Sequence, residues 1–136
     1  MRKAKKKNYI FAVGRRKTAV ARVRLFKGKG ENIVNGFSLD KYFSGEINKA
    51  HWQKPFEVTG LDGRYYISAK IVGSGKKGQL DALVLGISRA LVKADPDKFK
   101  LPLRKAGLLT RDARIRQRRM VGTGGKARRK KQSPKR

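Results

Sequence analysis

The last fifteen residues of the chain, GTGGKARRKKQSPKR, cannot contribute to a hydrophobic core. They contain no apolar side chain larger than that of Ala127, and none of them is acidic. A segment that buries no apolar surface cannot offset the conformational entropy that it loses on ordering. We therefore expect residues 122–136 to be unfolded in isolation, and any compact domain to lie before them.

Positive charge dominates the rest of the chain as well. The sequence has 37 Lys and Arg against 9 Asp and Glu, a formal net charge of +28 over 136 residues. This exceeds what solubility requires, and such a surface repels itself unless a polyanion neutralises it. The charge is concentrated at both ends, since residues 2–7 lack acids and Asp112 is the only acid in 104–136. We predict a basic N-terminal extension (1–8), a globular body (9–108) and an extended basic tail (109–136).

Nucleic acid is the polyanion that this composition favours, and an anionic membrane surface is the second possibility. No apolar run is long enough for a membrane span or a signal peptide, so we expect no membrane partner. The absence of cysteine excludes disulfides and thiolate metal sites, and it is consistent with a reducing compartment.

Apolar periodicity predicts an α+β body. Residues 18–26 alternate, with Ala19, Ala21, Val23 and Leu25 on one face and Arg22 and Arg24 on the other, as in a half-buried strand. Residues 79–94 form the clearest helix, with Leu80, Leu83, Val84, Ile87 and Leu91 at helical spacing. Gly86 within this helix indicates a close approach of another backbone.

Further elements follow from local signals. Strands are expected at 9–13, near 33–35, and at 56–59 and 64–72, the last two joined as a hairpin by Asp62-Gly63. Helices are expected after Ser38, at 46–53, and from Pro96 behind an Asp95 cap, with Pro102 disturbing the later part.

Gly73, Gly75 and Gly78 in VGSGKKGQL form a Gly-x-Gly-x-x-Gly pattern between a strand and a helix. A dinucleotide site also needs a parallel strand after the helix, and a Walker loop needs Lys and Ser or Thr after the last glycine; neither is present. Two interpretations remain: a strand-to-helix turn that only glycine permits, or an RNA phosphate site made by free amides with Lys76 and Lys77. We expect no nucleotide cofactor.

Two basic segments are candidates for phosphate contact. Arg15, Arg16 and Lys17 lie at the entry of a strand, where a solvated turn is the alternative interpretation. In RKAGLLTRDARIRQRR, Asp112 should pair with a neighbouring Arg, and arginine forks can hold two phosphate oxygens. Fully extended, the last fifteen residues would span roughly 50 Å. A disordered solubilising or nuclear-import tail is the alternative for them.

The sequence gives little support for catalysis. His51 is the only histidine, the nine carboxylates form no recognisable pair, and no nucleophile motif is present. We interpret His51 and Trp52 as surface cover or an RNA-stacking pair, and expect neither a metal site nor a small-molecule substrate.

Several segments, in this order, resemble small-subunit ribosomal protein nine of the bacterial or organellar type. They are GRRKTAVARVRL, GSGKKGQLDALVLGISRAL and LRKAGLLTRDAR, followed by a Lys-Arg ending. The resemblance runs from about Tyr9 to Arg136. The sequence departs from the family pattern at two places. Ser74 replaces a glycine, and the chain ends in Ser-Pro-Lys-Arg where family members often have Ser-Lys-Arg after an aromatic, so Pro134 is inserted and the aromatic is missing.

The resemblance implies an α+β fold with helices on one face of a roughly four-stranded sheet and a left-handed crossover. It implies no enzymatic activity, and a place in the head of the small ribosomal subunit, on cytoplasmic or organellar ribosomes, among neighbouring head proteins. Lys135 and Arg136 would contact the P-site transfer RNA. Ribosomal RNA would be contacted by Arg15, Arg16, Lys17, Lys76, Lys77, Lys105, Arg111, Arg114, Arg116, Arg118, Arg119, Lys126, Arg128, Arg129, Lys130 and Lys131. The alternative function is that of a basic DNA-architectural protein.

Overall fold

The computed structural model describes residues 8–131, and Lys135 and Arg136 lie outside this range. Its five strands are β1 (Ile10–Arg16), β2 (Ala19–Lys27), β3 (Ile33–Val34), β4 (Phe37–Ser38) and β5 (Tyr65–Val72). Its four helices are α1 (Leu39–Tyr42), α2 (Glu46–Thr59), α3 (Lys76–Ala94) and α4 (Pro96–Lys105). Within the described range, residues 106–131 form turns and irregular structure. No helix found in 8–131 combines the length and apolarity that crossing a bilayer needs.

The strands form one sheet in the order β1-β2-β5-β3-β4. β1, β2 and β5 are antiparallel neighbours, whereas β3 runs parallel to β5. The chain passes from β3 to β5 through β4, α1 and α2. The predicted α+β architecture with helices against a sheet is confirmed. The sheet has five strands, because the two-residue β4 pairs with β3 at one edge. The left-handed sense of the crossover stays a prediction.

Helix α3 and the sheet form the core. The predicted inward set of β2, Ala19, Ala21, Val23 and Leu25, is buried to within 1% of complete burial. The predicted stripe of α3 is buried against it, and small residues allow close contact. A β-carbon on Gly14 of β1 would overlap the backbone of Ala82 and Gly86, so the close approach predicted at Gly86 is confirmed. This contact fixes the position of α3 on the sheet.

The strand predicted at 56–59, and with it the Asp62-Gly63 hairpin, is wrong. Helix α2 continues through Pro55 to Thr59, and it ends at Gly60 with φ 68°. Trp52 and Phe56, one helical turn apart, are buried at 5% and 4% exposure. The local preference of Phe-Glu-Val-Thr for a strand is small, and the burial of two aromatic side chains on one helix face outweighs it. The interpretation of Trp52 as a surface residue is corrected by the same observation.

The remaining helix predictions differ from the structure mainly at their ends. Helix α3 begins at Lys76 instead of 79, with Gly75 as its N-cap. Asp95 caps α4 as predicted, accepting a hydrogen bond from the backbone nitrogen of Lys98 at 3.3 Å. Pro102 lies inside α4, which nevertheless continues to Lys105.

Candidate nucleic-acid interface

The glycine loop between β5 and α3 is shaped by packing. Gly73 has φ 83°, and a β-carbon there would overlap the carbonyl oxygen of Thr18 in the β1–β2 turn. A β-carbon on Gly78 would lie 2.5 Å from Oγ of Ser74. No further strand follows α3 within the described residues, so the sheet offers no crevice of the dinucleotide-binding type. Gly73 and Gly78 satisfy the strand-to-helix turn, as the first of the two interpretations expected, whereas Gly75 has φ −93° and open space at its β-carbon position.

Helix α3 starts next to α1, and the two are joined by polar contacts. Nζ of Lys76 lies 3.4 Å from the ring centroid of Tyr42 and donates to the Tyr42 carbonyl oxygen at 3.3 Å. The Tyr42 hydroxyl donates to Oε1 of Gln79 at 2.7 Å, and Nε2 of Gln79 donates to the Gly73 carbonyl. Lys77 is exposed. Of the predicted pair of lysines, Lys76 is therefore partly committed to the fold, whereas Lys77 is accessible to a ligand.

Arg15, Arg16 and Lys17 point in different directions. Arg15 is exposed on the face of β1 that is turned away from the helices, and Lys17 is exposed in the turn, with φ 52°. The Arg16 side chain is only 12% exposed and points toward α3, where Nε lies 3.7 Å from Oδ2 of Asp81. The structure thus separates Arg16 from its two neighbours.

Arg16 attaches the beginning of the tail to the body. Its Nη1 donates to the carbonyl oxygen of Arg114 at 2.8 Å and to that of Asp112 at 3.3 Å. Its Nη2 lies 3.3 Å from Oδ2 of Asp112. Because these partners are more than 90 positions away in the sequence, the tail leaves the body from a defined point.

Asp112 and Arg114 form a two-pronged ion pair. Nε and Nη2 of Arg114 donate to Oδ1 and Oδ2 of Asp112 at 2.9 and 2.7 Å, and the Arg114 backbone nitrogen donates to Oδ1 at 3.1 Å. These hydrogen bonds hold the pKa of the Asp112 carboxyl well below its ordinary value, and the carboxylate raises the pKa of Arg114. The predicted pairing of Asp112 with a neighbouring Arg is confirmed.

Beyond this pair the cations of the tail are exposed and form no ion pair with a carboxylate within 8–131. Residues 122–131 fold back on themselves, since the backbone nitrogen of Lys131 donates to the Gly122 carbonyl at 3.4 Å. Two predicted site residues before this pair, Lys105 and Arg111, are also exposed. The exposed predicted site residues after it are Arg116, Arg118, Arg119, Lys126, Arg128, Arg129, Lys130 and Lys131. This surface is suited to binding an extended polyanion.

A second cationic surface was not predicted as a site. Arg22 and Arg24 of β2 and Lys70 of β5 are exposed on the face of the sheet opposite the helices. The alternation in 18–26 had placed the two arginines on the outer face, but their grouping with Lys70 depends on strand pairing, which is not visible in the sequence. The sequence signal that could have predicted this surface is the alternating pattern of two strands, which places cations at polar positions.

His51 belongs to the same polar network as Arg16. Its Nε2 lies 2.9 Å from Oδ1 of Asp81, whose other oxygen faces Arg16. The contacts join α2, α3 and β1. Residues 8–131 contain no group of three His, Asp or Glu side chains arranged to hold a metal ion. His51 is thus a structural link in this arrangement.

Comparisons of the chain with a family model and with known proteins point to the same family. The model of a family described as ribosomal protein S9/S16 matches residues 14–136. The chain belongs to this family. It is 47% identical over 111 residues to small ribosomal subunit protein uS9 of Renibacterium salmoninarum, covering 82% of this chain and 66% of that protein. The corresponding protein of Cutibacterium acnes is 45% identical over 111 residues, covering 82% of this chain and 64% of its own length.

The first two relatives are longer than the aligned region, and the chain matches just under two thirds of each. The uS9 protein of Desulfotalea psychrophila is 46% identical over 117 residues, which are 85% of this chain and 88% of that protein. Membership in the S9/S16 family makes the chain a ribosomal protein, as the resemblance implied. The relatives are small ribosomal subunit proteins by name, and membership in this family agrees with the expectation that the chain is not an enzyme.

Proposed function

We propose that the chain is a structural constituent of the small ribosomal subunit head that binds ribosomal RNA through its basic surface and tail. The observation that carries this proposal is the tail beyond Arg114, which presents eight exposed cations at 116–131 without any carboxylate. The segment contains no acidic side chain that could neutralise these cations. An RNA phosphate backbone can neutralise them, and binding is favoured because it releases the counterions of the RNA. The names of the bacterial relatives supply the small subunit as the setting.

The body supports the tail by fixing where it starts. Arg16 holds the backbone carbonyls of Asp112 and Arg114, so the tail cations leave from the side of the body where α3 meets β1. Arg15, Lys17, Lys77, Lys105 and Arg111 are exposed and are proposed as further ribosomal RNA contacts. Arg16 and Arg114 are proposed to position the tail, with Arg114 also accessible to phosphate because its side chain is 84% exposed.

The end of the tail is proposed to reach the anticodon stem-loop of the P-site transfer RNA through Lys135 and Arg136. The support is the resemblance, together with the length and charge of residues 115–136. The bacterial origin of the relatives favours cytoplasmic ribosomes over organellar ones, with neighbouring head proteins as additional partners.

The test is the binding of the full chain to a transcript of small-subunit ribosomal RNA as a function of salt. If about 6–10 phosphates are contacted, affinity should fall by roughly 10³–10⁵ between 50 and 200 mM salt. The tagged protein should also cosediment with small ribosomal subunits, and it should bind these more tightly than it binds duplex DNA. A flat salt dependence, or equal affinity for duplex DNA, would contradict the proposal and favour a DNA-architectural role.

A further inference from the structure

The sheet face that is turned away from the helices carries a set of cations in register. The pairing of β1, β2 and β5 places Val13, Arg22 and Lys70 side by side in one row. The next row contains Phe11, Arg24 and Ser68. We call these six residues the open sheet face. Arg22, Arg24, Lys70 and Phe11 are exposed, the last of them at 40%.

The central pair of the open sheet face is electrostatically unfavourable in the protein alone. Arg22 and Lys70 are direct cross-strand partners, and like charges in this position destabilise a sheet. β1, β2 and β5 contain no Asp or Glu, and all nine acidic residues of the chain lie on helices, loops or the tail. Within residues 8–131 no carboxylate forms an ion pair with Arg22, Arg24 or Lys70. An external anion would remove this repulsion.

The same face offers apolar area next to the cations. Phe11 is the direct partner of Arg24, and Ile33 of β3 extends that row at 37% exposure. At the other end of the face, Val72 is 54% exposed. Proteins commonly bind unpaired nucleotides with exposed aromatic rings beside arginines. The bases stack on the rings, and the cations contact the phosphates. A double helix has no free base faces for Phe11 to stack on.

We propose that the open sheet face is a second ribosomal RNA contact surface that takes a segment of unpaired nucleotides. Arg22, Arg24 and Lys70 bind its phosphates, and Phe11 stacks on a base. This surface rests on the proposed function and is separate from the tail, whose root is held by Arg16 on the helix side of the sheet. The body and the tail then contact RNA on opposite faces of the sheet.

The test compares two variants of the full chain with equal net charge. R22Q/R24Q/K70Q removes three cations from the open sheet face, and K49Q/K98Q/K100Q removes three exposed lysines from α2 and α4. Binding of each to the small-subunit ribosomal RNA transcript is measured from 50 to 200 mM salt. The face variant should reduce the slope of log affinity against log salt by about 2–3, as expected for three lost phosphate contacts, and the helix variant should leave it unchanged.

The aromatic part of the proposal has its own readout. Phe11→Leu keeps an apolar side chain but removes the ring, and it should weaken transcript binding roughly fivefold or more without changing the salt slope. Thermal unfolding of all variants without RNA checks that they fold; removing the Arg22–Lys70 repulsion should not lower the unfolding temperature of the face variant.

The outcomes separate this proposal from the more general one. If the parent chain does not bind the transcript, the proposed function fails. Two outcomes would overturn the proposal for the open sheet face while leaving RNA binding intact. In the first, the parent binds and the face variant has the same salt slope as the parent. In the second, the helix variant loses as much slope as the face variant. A face variant that binds the transcript normally but does not enter small subunits would identify the face as a protein-docking surface, which also overturns the proposal.

Discussion

Gly14 of β1 and Gly86 of α3 touch backbone to backbone: a β-carbon on Gly86 would lie 3.2 Å from the Gly14 amide nitrogen and 2.7 Å from Cγ2 of Val23. Helix α3 therefore lies on the sheet at a distance that larger residues would not permit. Since α3 also carries Asp81, which faces Arg16, this distance determines where the root of the tail is held.

Gly86→Ala should destabilise the protein, although alanine normally favours a helix interior by about 1 kcal/mol over glycine. The added carbon must displace Val23 or the β1 backbone, at a cost of about 1–3 kcal/mol, and Gly14→Ala should cost more because its contacts are all backbone atoms. Thermal unfolding measures both. Gly125→Ala is the control, since Gly125 has no positive φ and nothing lies near its missing β-carbon. A Gly86→Ala protein as stable as the parent would contradict the close contact.

Arg16→Gln should release the root of the tail without unfolding the body. The variant loses the ion pairs to Asp81 and Asp112 and the hydrogen bond to the Arg114 carbonyl. Amide hydrogen exchange at 111–116 should become faster, while that of β2 and α3 stays unchanged. Arg15→Gln has the same change of charge on the opposite face and is the control. Equal exchange in the two variants would mean that Arg16 does not hold the tail.

Acid should weaken the Asp112–Arg114 pair. The folded-state pKa of Asp112 is lowered, chiefly by the Arg114 side chain and next by the Arg114 backbone nitrogen. Its stabilising contribution is therefore complete above the ordinary value of 3.8 and is lost as pH falls through the lower folded-state pKa. A carbon-13 titration of the Asp112 carboxyl should give a midpoint below 3.8, and Arg114→Gln should shift it upward. An unchanged midpoint in Arg114→Gln would assign the shift to another group.

Lys70→Glu should stabilise the free protein. It converts the like-charge partners Arg22 and Lys70 into an opposite-charge pair, a change on the order of 0.2–1 kcal/mol in a cross-strand position. Thermal unfolding at low and high salt measures it, because screening should reduce the gain. Lys126→Glu changes the net charge equally but lies in the tail. A similar gain in that control would assign the effect to net charge and not to the pair.

Deleting Lys135 and Arg136 should weaken P-site transfer RNA binding and leave subunit assembly intact. The ribosomal RNA contacts proposed for the body and for 116–131 remain in the truncated chain, whereas the contact proposed for the transfer RNA is removed. Filter binding of transfer RNA to reconstituted small subunits and sedimentation of those subunits report the two effects separately. Loss of assembly would show that the last two residues anchor the protein instead.

Local sequence signals correctly predicted the elements whose apolar residues lie on the face that tertiary packing buries. The alternation at Ala19 to Leu25 predicted β2, and the spacing of Leu80, Leu83 and Ile87 predicted α3. They failed at 56–59, which was expected to form a hairpin with 64–72 because the two segments flank Asp62-Gly63. The decisive quantity there was the burial of Trp52 and Phe56 on one helix face, which depends on where the rest of the chain lies.

The candidate nucleic-acid interface was also predictable from the sequence only in part. Charge is a property of each residue, so the sequence alone determined that the chain needs a polyanion and that its tail cannot fold into a core. Only the tertiary structure decided which cations are available, because strand pairing and packing act between residues far apart. They turned Arg16 inward to hold Asp112, placed Lys76 over Tyr42, and brought Arg22 and Lys70 together on the open sheet face.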